Sequence, residues 1–158
     1  MTISNLSNNQ KRKRRSATRL FAVQALFQME ASGQSVDRVA QEFEDFRFGA
    51  VYEEGEYEEG DRDFFRALLN TVWDSQAKID QMTDRALVAK WPIGRIDPTL
   101  RALFRAAGAE LVQKDTPPKV VINEFVDVAR AFFPEGDEPK FTNAVLDHMA
   151  REAQPEAF

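Results

Sequence analysis

The sequence of 158 residues predicts an all-α protein, a compact bundle of about six or seven helices. Apolar residues recur every three or four positions in successive segments of the chain, which is typical of helices with one buried face. Helix-start residues precede several of these segments, and Asp97-Pro98 is the strongest such pair. No segment alternates apolar and polar residues convincingly, as a half-buried strand does. A chain of this length fits a single domain that buries its own core.

The first ten residues are polar, rich in Ser and Asn, and without an apolar period. We therefore expect residues 1–13 to form a disordered basic leader and residues 14–154 to form the folded domain. Ser16 is the expected cap of the first helix, whose apolar positions are Leu20, Val23 and Phe27. Gly33 suits the end of this helix, because glycine readily adopts the left-handed conformation that closes many helices.

A second helix is expected after Ser35, and it would form a helical hairpin with the first. One face of this helix is apolar: Val36, Val39, Ala40, Phe43 and Phe46. Residues 47–60 place glycines within an acid-rich tract that has no lasting apolar period. This tract predicts a long acidic loop.

The next segment predicts a long helix that begins at about Asp61, because apolar residues recur there at helical spacing. These residues are Phe65, Leu68, Val72, Ile79 and Met82. Residues 83–90 are expected to form a shorter helix, which Trp91-Pro92 would end.

Asp97-Pro98 predicts the start of a central helix, with Asp as the cap and Pro at the first helical position. Its apolar face is Leu100, Leu103, Phe104, Ala107 and Leu111. Thr116-Pro117-Pro118 would end it, and another helix would then run to Phe133. Residues 134–139 predict a turn before the last helix, whose apolar positions are Phe141, Val145, Leu146 and Met149.

Charge is distributed unevenly along the chain. The first nineteen residues hold six of the 21 basic residues and none of the 26 acidic ones. The six are Lys11, Arg12, Lys13, Arg14, Arg15 and Arg19. The remaining residues have 15 basic against 26 acidic side chains, a net charge of −11. A cationic arm on an acidic body indicates a directed contact with phosphates, and a solubilising tail is about equally consistent with the arm alone.

Several classes of function are disfavoured by composition. The chain has no cysteine and one histidine, His148, so it lacks the side chains of a zinc site or a nucleophilic triad. The acids between residues 53 and 61 match no calcium-loop spacing, and we expect no metal and no cofactor. No apolar run approaches the length of a membrane span, and no secretory leader is evident. We expect a cytoplasmic protein that is not an enzyme.

Lys140-Phe141 suggests a second contact with nucleic acid. A cation beside an aromatic residue near a helix start, with Asn143 two positions on, offers phosphate pairing, base stacking and base-edge hydrogen bonding. This combination suits unstacked single-stranded RNA. The alternative is that Phe141 is the first core anchor of the last helix.

Five motifs together resemble the NusB family of bacterial transcription antitermination factors. In chain order they are residues 22–27 (AVQALF) after the Arg-rich start, Trp91 with residues 95–97 (RID), residues 103–105 (LFR) leading to Glu110-Leu111, residues 117–124 (PPKVVINE), and residues 140–147 (KFTNAVLD). The resemblance extends from about Arg14 to Glu152, and the last two motifs are the most specific.

The resemblance implies an all-helical fold of two packed helical subdomains without enzymatic activity. It implies binding of the single-stranded boxA RNA of nascent ribosomal RNA transcripts, jointly with ribosomal protein NusE, in the RNA polymerase antitermination complex. The arm matches the family's Arg-rich RNA-binding start. Lys140 and Phe141 match a second RNA-contacting region, close to Asp137 and Asn143. Two further matches are Arg105, an expected RNA contact, and Phe27, an expected partner contact or core residue.

Two alternatives and one added hypothesis remain open from the sequence. The chain is either such a factor, a helical protein–protein adaptor whose arm binds acidic partners, or the detached RNA-binding domain of a ribosomal RNA cytosine methyltransferase. The hypothesis concerns residues 42–63, which have a net charge of −8. In the free protein this tract would pair with the arm and compete with weakly bound RNA.

Overall fold

The computed structural model describes residues 6–49, 51–52, 55–56, 59–87 and 96–158. Within them the chain forms six α-helices: α1 (Asn8–Ser32), α2 (Val36–Phe46), α3 (Arg62–Ala86), α4 (Pro98–Gln113), α5 (Pro118–Phe132) and α6 (Glu138–Ala153). A short 3₁₀ turn, Pro155–Ala157, follows α6. The all-α prediction is confirmed. No helix among the described residues is long and apolar enough to cross a membrane.

Helix α1 begins at Asn8, eight residues before the predicted start at Ser16. Its cap is Ser7, whose hydroxyl accepts a hydrogen bond from the backbone N–H of Gln10, while the Gln10 side chain accepts one from the backbone N–H of Ser7. This reciprocal capping box stabilises the first turn, and Lys and Arg are good helix formers. The prediction of a disordered leader is therefore wrong for residues 8–13, which present their charges on a helix.

Four helix-end signals predicted from the sequence are confirmed. Ser35, Asp61 and Asp97 each accept a backbone N–H in the first turn of α2, α3 and α4. Gly33 ends α1 with a φ of 74°, in the left-handed region where glycine is favoured.

Residues 47–60 contain a minimal hairpin that the sequence did not predict. Strands β1 (Val51–Tyr52) and β2 (Gly55–Glu56) pair antiparallel, with Val51 opposite Glu56. The base of this segment is closed by Phe48, which packs into the core between Phe21 and Phe65, with ring centroids 4.9 and 5.1 Å away. Gly60 runs against the Phe48 ring so closely that an added Cβ would lie 2.4 Å from it. The acidic loop is thus anchored through its apolar neighbour Phe48.

Helix α3 connects two parts of the bundle. It bends at Ser75, where φ is −125° and ψ is 20°. Before the bend Phe65 packs on Phe43 of α2, with ring centroids 5.7 Å apart. After the bend the hydroxyl of Thr83 donates to the Ile79 carbonyl and contacts the Met149 sulfur of α6. The separate helix predicted from Thr83 is wrong, because Thr83 is buried within α3. The predicted end of that helix, Lys90 with Trp91-Pro92, lies outside the described residues.

One continuous hydrophobic core runs from α1 to α6, with the central helix α4 completely buried over residues 106–111. Gly108 of α4 allows the close approach of α3, since a Cβ there would lie 2.5 Å from Cγ2 of Ile79. The buried face of α4 also includes one charged residue, Glu110, and its partner lies on α1.

Candidate nucleic-acid interface

The cationic arm occupies the first two turns of α1. Arg12 and Lys13 are exposed, and Lys11 and Arg14 are half-buried. None of these four side chains has an ion-pair partner among the described residues. Because the helix is capped at Ser7, the arm presents its charges from a fixed backbone, which lowers the entropic cost of ordering it on a phosphate chain.

Arg19 does not belong to this exposed arm. Its side chain is 3% exposed and makes two hydrogen bonds of 2.8 Å, from Nε and Nη2, to the carboxylate of Glu110. Its Nη1 lies 3.5 Å from Glu124 of α5. The prediction that Arg19 contacts RNA is therefore corrected: its guanidinium is bound inside the protein, where it joins α1 to α4 and α5.

Arg15, at the base of the arm, is partly engaged by the protein and partly exposed. Its guanidinium carbon lies 3.7 Å from the centroid of the Phe64 ring, a cation–π distance. It is also 4.0 Å from a carboxylate oxygen of Asp61 and 4.0 Å from one of Glu110. The side chain remains 35% exposed. Arg15 is thus oriented by the protein and still accessible to a ligand.

Two hydroxyl groups fix α1 to its neighbours next to the arm. Ser16, the predicted helix cap, lies inside the helix and donates its hydroxyl to the carboxylate of Glu124 at 3.0 Å. The hydroxyl of Thr18 donates to the Arg14 carbonyl at 2.6 Å and accepts the N–H of Asp61 at 2.8 Å. A polar network at the base of the arm therefore connects α1 with α3 and α5.

Three of the predicted site residues share a shallow groove between the end of α5 and the start of α6. Asp137, Lys140 and Asn143 line this groove, whose volume is about 440 Å³. Asp137 makes no side-chain capping bond, so its carboxylate is available to a ligand. Arg130 lines the same groove and was not predicted; it pairs with Asp127 at 2.7 Å. The sequence signal that could have identified Arg130 was a cation near the end of α5, four residues before Pro134.

Phe141 points away from this groove. It is half-buried and packs against the core, with its ring centroid 6.2 Å from that of Phe104. This placement favours the alternative in which Phe141 anchors the last helix.

Phe27 lies open on the surface, with 42% of the residue exposed. It lines a groove of about 490 Å³ formed by α1, α2 and the ends of α4 and α5, together with Gln24, Gln28, Arg47, Thr99 and Phe132. Phe27 follows Arg15 by twelve positions, which corresponds to roughly 18 Å along α1. This exposure speaks against burial of Phe27 in the helical hairpin, and its contact with a partner stays a prediction.

Arg105 is held by carboxylates of two other helices. Nε and Nη2 donate to Asp80 of α3 at 3.0 and 2.9 Å, and Nη1 donates to Glu30 of α1 at 3.3 Å. Its side chain is 14% exposed. These ion pairs give Arg105 a structural role, and its predicted RNA contact stays a prediction. The side-chain hydrogen bond from Arg101, with the charges of Arg101 and Arg105, lowers the pKa of Glu30 below its ordinary value.

The arrangement has two surfaces suited to a polyanion: the helical arm and the α5–α6 groove. The arm offers charge that can pair with phosphates, and such contacts position a strand without selecting its sequence. The groove combines two cations with a carboxylate and an amide, which can accept from and donate to base edges.

Comparison with known proteins gives one consistent family. The NusB family model matches residues 16–151. The chain is 49% identical over 153 residues to the transcription antitermination protein NusB of Maricaulis maris, covering 96% of this chain and 94% of that protein. It is 46% identical over 138 residues to the NusB protein of Brucella anthropi, covering 87% and 82%.

Solved structures agree with this result. A structure of T. maritima NusB superposes with a TM-score of 0.73 at 27% sequence identity, covering 97% of this chain and 99% of that one. The structure of the antitermination factors NusB and NusE in complex with double-stranded RNA superposes with a TM-score of 0.72, covering 89% and 98%. The sequence identity to the latter chain is 21%, and this second likeness concerns the fold.

Proposed function

The chain belongs to the NusB family, and from that premise we propose that it is a transcription antitermination factor that binds boxA RNA of nascent ribosomal RNA transcripts. It acts by binding and does not turn over a substrate. Ribosomal protein NusE is its proposed partner on the RNA, because a protein of the same fold was solved with NusE and RNA. The assembled complex joins RNA polymerase.

The observation that supports RNA binding most strongly is the arm. Residues 11–14 place four consecutive cations on a capped helix, and none of them is paired within the described part of the chain. The rest of the chain carries a net negative charge, so the arm is the segment that attracts an RNA strand most strongly. Phosphate contacts of this kind position a strand and do not select its sequence.

Selectivity for boxA is assigned to the α5–α6 groove. Lys140 and Arg130 would hold a phosphate at its rim, and Asn143 and Asp137 would pair with the donors and acceptors of a splayed base. This division of roles resembles many single-strand binders, in which a cationic track carries affinity and a few polar groups carry discrimination.

The salt dependence of binding follows from the number of arm cations that are accessible to phosphates. With Arg19 bound to Glu110, five cations remain, Lys11 to Arg15. At about 0.7 per phosphate contact on a single strand, the slope of log affinity against log salt approaches about −3.5. A slope near zero would contradict phosphate pairing by the arm.

The test is a titration of the full chain with boxA RNA and with a scrambled RNA of equal length, each with and without NusE. We expect the boxA RNA to bind more tightly than the scrambled RNA, and NusE to widen the difference, because a second binding surface adds avidity. Equal affinity for the two RNAs, unchanged by NusE, would support the helical adaptor and exclude the proposed function.

A further inference from the structure

A further cavity lies at the base of the arm. Its volume is about 350 Å³, and it opens between α1, the first turns of α3 and the end of α4. The side chains that define it are Arg15, Asp61, Asp63, Phe64, Gln113 and Asp115. Neither the arm nor the α5–α6 groove includes these aspartates.

One wall of this cavity is formed by Phe64 and Arg15. The Phe64 ring is buried and lies beneath the Arg15 guanidinium, at 3.7 Å. The guanidinium carbon of Arg19 lies 5.2 Å from the centroid of the same ring. Because Arg15 lines the cavity and is 35% exposed, its side chain also faces the opening. Guanidinium planes are surfaces on which unstacked RNA bases stack.

The opposite rim is acidic and polar. Asp63 and Asp115 are exposed, and neither has a hydrogen-bond or ion-pair partner among the described residues. Gln113 is engaged, since its amide donates to the Ala67 carbonyl and the Thr71 hydroxyl. The formal charge of the lining is −2, from three aspartates against Arg15. A phosphate is therefore disfavoured inside the cavity, although phosphates are attracted to the arm beside it.

We propose that this cavity binds a nucleobase that presents N–H donors, with guanine as the preferred base. The base stacks on Arg15 and donates hydrogen bonds to Asp63 or Asp115. Guanine fits best because its N1–H and N2–H groups are adjacent donors that match the two oxygens of one carboxylate. Uracil offers only one donor on the corresponding edge. The cavity thereby gives the arm a base-selective element of its own.

This inference rests on the proposed RNA binding, because the arm must first hold the strand. It adds that the aspartates beside the arm select a base, while the arm supplies affinity. A competing occupant of an acidic cavity is a Lys or Arg side chain of a protein partner. The continuity of the cavity with the arm through Arg15, and the stacking surface on that residue, favour the base.

The test compares oligouridylate, the same strand with one central guanosine, and the same strand with inosine at that position, each titrated into the full chain. The wild type should bind the guanosine strand about tenfold more tightly than oligouridylate, the usual discrimination of a paired base contact. The inosine strand should fall between them, because inosine lacks the N2 amino group. Asp63→Asn and Asp115→Asn are compared with Asp74→Asn, an exposed aspartate on the outer face of α3.

At least one of the two cavity variants should lose most of the guanosine preference while binding oligouridylate slightly more tightly, since a negative charge near the arm is removed. Asp74→Asn should keep the preference. Tight binding of oligouridylate without any guanosine preference in the wild type overturns the cavity proposal alone. Absence of binding to all three strands overturns RNA binding itself. A guanosine preference that survives both cavity variants overturns the proposal.

Discussion

Arg19 and Glu110 form a buried ion pair with two hydrogen bonds of 2.8 Å, at the base of the cationic arm. The two residues are 91 positions apart, and both side chains are almost completely inaccessible to solvent. Glu124 at 3.5 Å extends the pair to α5. The pair therefore fixes where α1 lies on the bundle and, with it, the direction in which the arm points.

Breaking this pair from one side should be strongly destabilising. Glu110→Leu leaves the Arg19 charge buried without its main partner, and we expect a loss of about 3–5 kcal/mol in the free energy of unfolding. The double variant Arg19→Met with Glu110→Leu should be less destabilised than Glu110→Leu alone, because an apolar pair needs no compensation. Urea denaturation measures both. A single variant within about 1 kcal/mol of the wild type would contradict a structural role for the pair.

The arm should contribute affinity without selectivity. We expect Arg12→Ala with Lys13→Ala to weaken boxA and scrambled RNA by similar factors and to reduce the salt slope by about 1.4, at about 0.7 per lost phosphate contact. Fluorescence anisotropy across a salt series measures this slope. A matched control is Arg38→Ala with Lys78→Ala, which removes two exposed cations from α2 and α3.

The α5–α6 groove should contribute selectivity between RNA sequences. Asn143→Ala is expected to narrow the difference in affinity between boxA and scrambled RNA and to leave the salt slope unchanged, because no charge is removed. Equal loss of discrimination in the Asn143 and the Arg12/Lys13 variants would disprove this division between the two surfaces.

The order and the ends of the helices could largely be predicted, because their signals are local in the sequence. Asp61 and Asp97 cap helices through N–H groups only two or three residues away. The capping box of Ser7 and Gln10 was equally local, but the polar residues after it lack the apolar period that identifies a helix with a buried face. The earlier start of α1 was therefore signalled in the sequence only by the Ser7 and Gln10 capping box.

The assignment of individual arginines could not be predicted from composition. Arg19 and Arg105 are cations in or beside motifs that indicate RNA binding, yet their partners are carboxylates 91 and 25 residues away in sequence. Only the packing of α1, α3 and α4 brings these charges together. The same packing places Phe141 against Phe104. Helical spacing alone did not decide whether Phe141 is a core residue or an RNA contact.

Glu30 should make stability depend on pH in the acid range. Its pKa is lowered in the folded state by the hydrogen bond from Arg101 and by the charges of Arg101 and Arg105. A depressed carboxyl pKa contributes stability that is fully present above the unfolded value, near 4.3, and is lost as pH falls through the folded value. Glu30→Gln should therefore cost about 1 kcal/mol at pH 7, a modest figure because the pair is partly exposed, and less at pH 3.5.

The measurement is urea denaturation of Glu30→Gln and the wild type at both pH values. Glu135→Gln, an exposed glutamate in the turn before α6, is the control and should match the wild type at both. A difference between Glu30→Gln and the wild type that grows in acid would contradict the direction of the shift.

Gly60 should be intolerant of a side chain. An alanine Cβ would lie 2.4 Å from the Phe48 ring, which is itself enclosed by Phe21 and Phe65. We expect Gly60→Ala to reduce the free energy of unfolding by about 1–3 kcal/mol, because the buried ring has to move. Thermal unfolding of this variant beside Phe48→Leu and the double variant checks the cause. The smaller leucine should recover part of the loss that alanine causes in the single variant.

Phe27 should matter for assembly and little for folding. Because its side chain is substantially exposed in the groove of α1, α2, α4 and α5, we expect Phe27→Ala to change the free energy of unfolding by less than about 1 kcal/mol. If the groove receives NusE, the variant should bind RNA alone like the wild type and lose the gain that NusE provides. Trp73→Ala is the matched control, an exposed aromatic residue on α3 that borders a different groove.

A Phe27 variant that loses affinity for RNA in the absence of NusE would instead place the strand itself in the groove that Phe27 lines. Full enhancement by NusE in the Phe27 variant would remove Phe27 from the partner surface.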